Sequence, residues 1–152
     1  MNALTCDEIA VRKLHDEVIA AVNAADVETL LSLHTEDIIL MEPGMPLICG
    51  RKEMRKLFDK FIKQKLSLRL AFNICEIIVF GERAFVRGQV FKTTGNKPGY
   101  EAGKFVTLSQ KQSNGCWLRT HVIANNDLPV EEESFCRPVK LSMGIKDILW
   151  NK

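Results

Sequence analysis

Apolar residues in the first part of the chain recur at helical intervals, and those in the middle alternate. After "TCDE", Thr5 to Glu8, the positions Ile9, Leu14, Val18, Ala21, Val22 and Ala25 approximate one helix face. The Thr5–Glu8 spacing is that of a capping box, in which the two side chains satisfy amides left free at a helix start. Asp26 is placed to cap a second, short helix, "DVETLLSLH", with Leu30, Leu31 and Leu33 as its buried side. A strand, "DIILM", follows at 37–41, and the loop after it holds Pro43, Gly44 and Pro46, which neither helix nor strand continues through easily. The clearest helix begins after Gly50. There Met54, Leu57, Phe58, Phe61 and Ile62 fall on one face, with Arg51, Lys52, Arg55, Lys56, Lys60 and Lys63 mostly on the other.

From Leu66 onward the period is that of strands. "LSLRLAFNICEIIVF" runs to a turn at Gly81-Glu82, "RAFVRGQVFKTT" returns from it, "GNKPGYE" turns again, and "GKFVTLSQKQ" pairs through "SNG" with "CWLRTHVIANND". The pattern predicts an antiparallel sheet of four long strands with "DIILM" as a fifth. Helices first and strands afterwards is an α+β layout, with the helices on one face of the sheet. One domain is expected over 1–129, and a charged tail over 130–152 with a short helix around Ile145, Ile148 and Leu149.

Composition changes this picture little. A chain of 152 residues, 46% hydrophobic and 26% charged, suits one globular domain. The net charge of +2 is unevenly spread: residues 1–50 carry 2 basic and 9 acidic side chains, residues 51–69 carry 8 basic and 2 acidic. The basic stretch reads as a solvated helix face rather than a nucleic-acid footprint. Cys6, Cys49, Cys75, Cys116 and Cys136 are irregularly spaced and odd in number, which suggests neither a zinc site nor a disulfide framework but reduced thiols in a cytoplasmic protein. The N-terminus does not read as a signal peptide and no segment reaches membrane-spanning length, so no membrane partner is expected. No residue set has metal-ligand spacing, and no Gly-rich phosphate loop is present, so neither metal nor cofactor is expected.

The candidate chemistry centres on Glu42. It shares strand parity with Ile38 and Leu40, so it is either a solvated strand cap or a carboxylate aimed with them toward the helices. In the last strand Leu118, Thr120, Val122 and Ala124 share an uncharged face, and Ala84, Val86, Gly88 and Val90 form a similar set two strands earlier. Small residues opposite a helix layer favour a pocket; the alternative is that Phe72 and Phe105 fill the space. Lys104 stands either at the pocket mouth, placed to meet an anion, or in solvent. Trp117, Arg119, His121 and Ile123 fall on the opposite, outer face. His15 and His34 are read as helical, with no role.

Helix, short helix, "DIILMEPGMPLICG", basic helix and four strands resemble the nuclear transport factor 2-like superfamily, in particular its SnoaL-like and ketosteroid-isomerase-like branch. The resemblance rests on "AVNAADVETLLSLHTEDIILMEPGMPLICGRKEMRKLF", "GERAFVRGQV", "GKFVTLSQKQSNGCWL" and "NNDLP", and covers roughly residues 10–129. It implies a cystatin-like cone, a curved sheet wrapped around helices with an apolar pocket at the wide end. Glu42 matches the general base of the isomerases, an acid just before a proline. The phenol donor of that family corresponds to Val18, and its protonated carboxyl to Gly103 or Lys104, so steroid isomerisation by that mechanism is not implied. An acid and a tryptophan usual in the SnoaL-like last strand correspond to Val122 and Ala124. The ligand-binding set is then Val18, Leu40, Phe58, Lys104, Leu118, Thr120, Val122 and Ala124. The outer sheet face is implied to form a homodimer contact through Trp117, Arg119, His121 and Ile123. The first expectation is binding of a small apolar or carbonyl-containing molecule. The alternatives are cofactor-independent isomerase or cyclase chemistry with Glu42 as base, and a non-catalytic protein-interaction module.

Overall fold

The computed structural model describes residues 3–64, 68–94 and 101–127; the expected tail, Cys136 and most of the "GNKPGYE" turn lie outside them. Helices α1 (Cys6–Asn23), α2 (Val27–Ser32) and α3 (Arg51–Lys63) accompany strands β1 (His34–Met41), β2 (Ile48–Cys49), β3 (Leu68–Phe80), β4 (Arg83–Thr94), β5 (Glu101–Lys111) and β6 (Trp117–Asn126). The capping box closes both ways: the Glu8 amide donates to Thr5 Oγ1 at 3.2 Å, and the Thr5 amide to Glu8 Oε2 at 2.6 Å. Asp26 caps α2 by accepting from the Thr29 amide at 3.1 Å. Gly50 enters α3 at φ 85°, a left-handed conformation that suits glycine.

The strands form a six-stranded sheet in the order β2-β1-β6-β5-β4-β3. The four long strands are joined antiparallel as the alternation predicts. The sheet is nonetheless mixed, because β1 lies parallel to β6, a long-range pairing that no local pattern encodes. Register shifts interrupt three ladders, between Ile74 and Glu76, between Leu108 and Ser109, and between His34 and Ile39. Such irregularities bend strands, and here they curve the sheet around the helices. Gly88 faces the bulge in β3: a Cβ there would stand 2.3 Å from the Asn73 carbonyl oxygen and 3.0 Å from a Phe105 ring carbon.

Two apolar clusters divide the interior. At one end Val11 and Leu14 of α1 pack on Ala84, Val86, Phe105 and Trp117. At the other, Val18, Ala21 and Val22 meet Leu30, Leu31, Ile38, Leu40, Met54 and Val122. Phe72 and Phe105 sit between them, ring centroids 4.8 Å apart. Filled core and pocket therefore both occur, one at each end. Ala84 and Val86 are filled core; Val90 and Val122 border open space.

The charge asymmetry has an internal explanation. Arg55 of α3 forms a two-pronged pair with Glu28 of α2 (2.6 and 2.8 Å), and Arg51 reaches Glu36 of β1 at 2.8 Å. Basic α3 thus faces the acidic N-terminal part of the chain. These pairs are largely exposed and screened by solvent, so they add little stability; what they do is orient α3 over β1.

Candidate functional site

Beside the cluster around Val18 and Leu40, α1, α2 and α3 and the inner face of the sheet border a partly open cavity of about 180 Å3. Its lining is mostly apolar: Val18 and Val22 from α1, Met54, Leu57, Phe58 and Phe61 from α3, Leu40 from β1, and Val122 and Ala124 from β6. Leu57, Phe58 and Phe61 are only half-buried although they lie on the predicted apolar face of α3. They border the cavity, so their exposed area opens onto it.

Polar side chains enter the cavity from several elements. Glu42, one residue past β1, lines it together with Pro43, Lys92, His34 and Arg119. Ile38 and Leu40 are buried, and the same parity carries the Glu42 carboxylate inward. Burial pushes the Glu42 carboxyl above its ordinary value, and the positive charges of Lys92 and Arg119 only partly oppose that shift.

Arg119 is the residue that parity misplaces. Ser109 of β5 pairs with Arg119 and Leu108 pairs with His121, so Thr120 is an extra residue bulged out of β6. Before the bulge Trp117 and Arg119 point inward; after it Val122 and Ala124 do. Arg119 retains only 4% of its surface exposed. Its Nε finds no hydrogen-bond partner among the described residues, and its guanidinium stands 5.9 Å from the centre of the Phe72 ring. Desolvation pulls its pKa down to about 10, with Glu42 acting in the opposite direction.

Two histidines complete the buried polar set. His34 opens β1 beside Arg119 in the parallel ladder, and its Nδ1–H donates to the Leu30 carbonyl at 2.7 Å. That bond fixes the tautomer with Nε2 as an acceptor. His15 donates from Nδ1 to the Val11 carbonyl at 2.9 Å and accepts at Nε2 from the Thr107 hydroxyl at 2.8 Å. Burial, with the Arg119 charge next in importance, lowers both histidines to about 3. Both rings are neutral near pH 7.

Of the expected site residues, the cavity brings together Glu42, Val18, Leu40, Phe58, Val122 and Ala124. Leu118 and Thr120 do not line it, because the bulge takes them out of phase with Val122. Lys104 is turned away and pairs with Asp127, so it meets no anion at the mouth. The expected homodimer contact also changes. Trp117 is buried in the cluster with Val11 and Leu14, its indole donating to Asp7 Oδ1 at 3.2 Å, and Arg119 belongs to the cavity. His121 and Ile123 do lie exposed on the outer face. The sequence reading put Arg119 on the outer face, gave His34 no role and did not single out Lys92; all three line the cavity.

Among the described residues no cluster of side chains is arranged to hold a metal ion, and no helix is long and apolar enough to cross a membrane. Cys6, Cys49, Cys75 and Cys116 are unpaired and exposed.

The fold has many counterparts among solved structures. A ketosteroid isomerase-like protein from Erwinia carotovora atroseptica is 22% identical, with a TM-score of 0.71 over 83% of this chain and 100% of that one. A candidate dehydratase of the nuclear transport factor 2-like family from Streptomyces avermitilis is 20% identical (TM-score 0.69, 81% and 97% covered). A domain with a cystatin-like fold from Nostoc punctiforme is 18% identical (TM-score 0.71, 88% and 85% covered). At such identities the likeness is one of fold. No curated protein matches the chain. The family model of the SnoaL-like domain matches residues 15–112, which include Glu42, α3 and most of the sheet. The chain belongs to the SnoaL-like domain family.

Proposed function

We propose that the chain binds a small, largely apolar molecule in the cavity between α1, α3 and the sheet, with Glu42 at the polar side of the site. The observation that carries this reading is a carboxylate whose pKa burial raises, set in a mostly apolar lining beside a buried arginine. Groups left in that state cost stability, and a bound ligand would offset the cost.

The raised pKa of Glu42 also favours a second reading, proton abstraction next to a carbonyl without cofactor or metal. Deuterium exchange at the α-carbon of a one-ring ketone such as phenylacetone, followed by NMR in heavy water, separates the two. If Glu42 is a base, wild-type protein accelerates exchange, and Glu42→Gln slows it by about 100-fold or more while ketone affinity stays within about three-fold. Binding with no acceleration removes the catalytic reading and leaves the binding one. Absence of binding by any one-ring apolar probe removes both.

A further inference from the structure

The cavity is large enough for roughly one ring, since a dry apolar cavity of about 150 Å3 accepts benzene and this one measures about 180 Å3. Its lining carries two cations, Arg119 and Lys92, and one carboxylate, Glu42. Arg119, 4% exposed as a residue, brings a guanidinium whose Nε has no partner among the described residues. Lys92 adds a second cation at the edge, already paired with Glu101 at 3.5 Å. His34 is neutral and presents an acceptor nitrogen. Glu42 faces Arg119 electrostatically, but among the described residues neither forms an ion pair with the other.

A buried guanidinium that meets no acceptor among the described residues is an incomplete half of an interaction. Its planar fork of N–H donors matches a carboxylate in two parallel hydrogen bonds, which an ammonium does not reproduce. Phe72, against which the guanidinium rests, holds the fork from one side, and the bulge at Thr120 turns it inward rather than toward solvent. The rest of the lining offers an apolar body its surface. We infer that the ligand is a small monocarboxylic acid with a one-ring or similarly compact apolar body, its carboxylate seated on Arg119. This rests on the cavity being a binding site, and it adds the class of molecule bound.

The test is calorimetric titration of the full chain with benzoate and phenylacetate, each against its neutral amide, in wild type, Arg119→Met and Arg119→Lys. Wild type is expected to prefer each acid to its amide by about ten-fold or more, the size of a charge-assisted hydrogen bond. Arg119→Met should erase that preference while amide binding persists, and Arg119→Lys, which keeps the charge and loses the fork, should retain only part of it. Thermal unfolding of each variant verifies that it is folded; if Arg119→Met is not, the Arg119→Lys comparison and the wild-type ratio decide. Equal binding of acid and amide by wild type, or an acid preference that survives Arg119→Met, overturns the inference and leaves the cavity reading standing. No binding of any probe overturns both.

Discussion

Lowering the pH from 7 to 5 is expected to remove about 4 kcal/mol of folding stability. The cause is His15 and His34, held near pKa 3 in the fold against an ordinary 6.5. Between those two values the unfolded chain takes up a proton at each ring and the folded chain does not, so stability is lost as pH falls below 6.5. Each ring contributes about 1.4 kcal/mol per pH unit over that interval. The lowered carboxyls, such as Asp7 and Asp26, act only below their unfolded value of 3.8 and so add little above pH 5. Glu42 works the other way: its raised pKa makes its charged form a cost that acid relieves, which trims the total. Urea unfolding at the two pH values measures the difference directly. His34→Gln should roughly halve the slope, and equal stability at pH 7 and 5 would show that the rings are not buried as described.

The second large effect concerns Arg119. Holding a guanidinium where its pKa drops from 12.5 to about 10 costs roughly 3 kcal/mol near neutral pH. Methionine has a similar reach, fills irregular space and carries no charge. Arg119→Met forfeits the contact with the Phe72 ring, worth about 1 kcal/mol, and is expected to stabilise the unliganded protein by about 2 kcal/mol, roughly 6 °C in Tm for a domain of this size. The same variant is expected to lose acid recognition. A residue that is costly to the empty fold and useful to the bound one has the profile of a functional group. Calorimetric unfolding decides the matter; a substantial loss of stability in Arg119→Met would mean that the arginine is structural.

Much of this architecture is written in local patterns. The capping box at Thr5–Glu8, the cap at Asp26 and the apolar stripe of α3 each follow from side-chain chemistry over a few residues, and all three are present in the fold. Glu42 could be placed because a strand alternates and Glu42 lies two positions on from buried Leu40. The same rule fails in "CWLRTHVIANND". One extra residue, Thr120, reverses the parity of everything before it, so Trp117 and Arg119 exchange sides with Leu118. Nothing in the residue pattern of that segment marks the bulge, which shows only in its pairing with β5. His34 was hidden for a related reason: α2 passes into β1 through Leu33 alone, without a turn residue to end the helical reading. Parallel pairing of β1 with β6, which sets His34 beside Arg119, joins distant parts of the chain and lies outside any local window.

Methyl NMR during titration with benzoate and, separately, benzamide reports whether the cavity bordered by α1, α3 and the sheet takes up a ligand. Val18, Val22, Leu40, Leu70, Val90 and Val122, which line the cavity, are expected to shift in a saturable manner with one probe or the other. Ile78 and Ile123, exposed on the sheet, should stay in place. Shifts confined to Ile78, Leu108 and Ile123, or no saturable shift within the cavity with either probe, would contradict the binding reading.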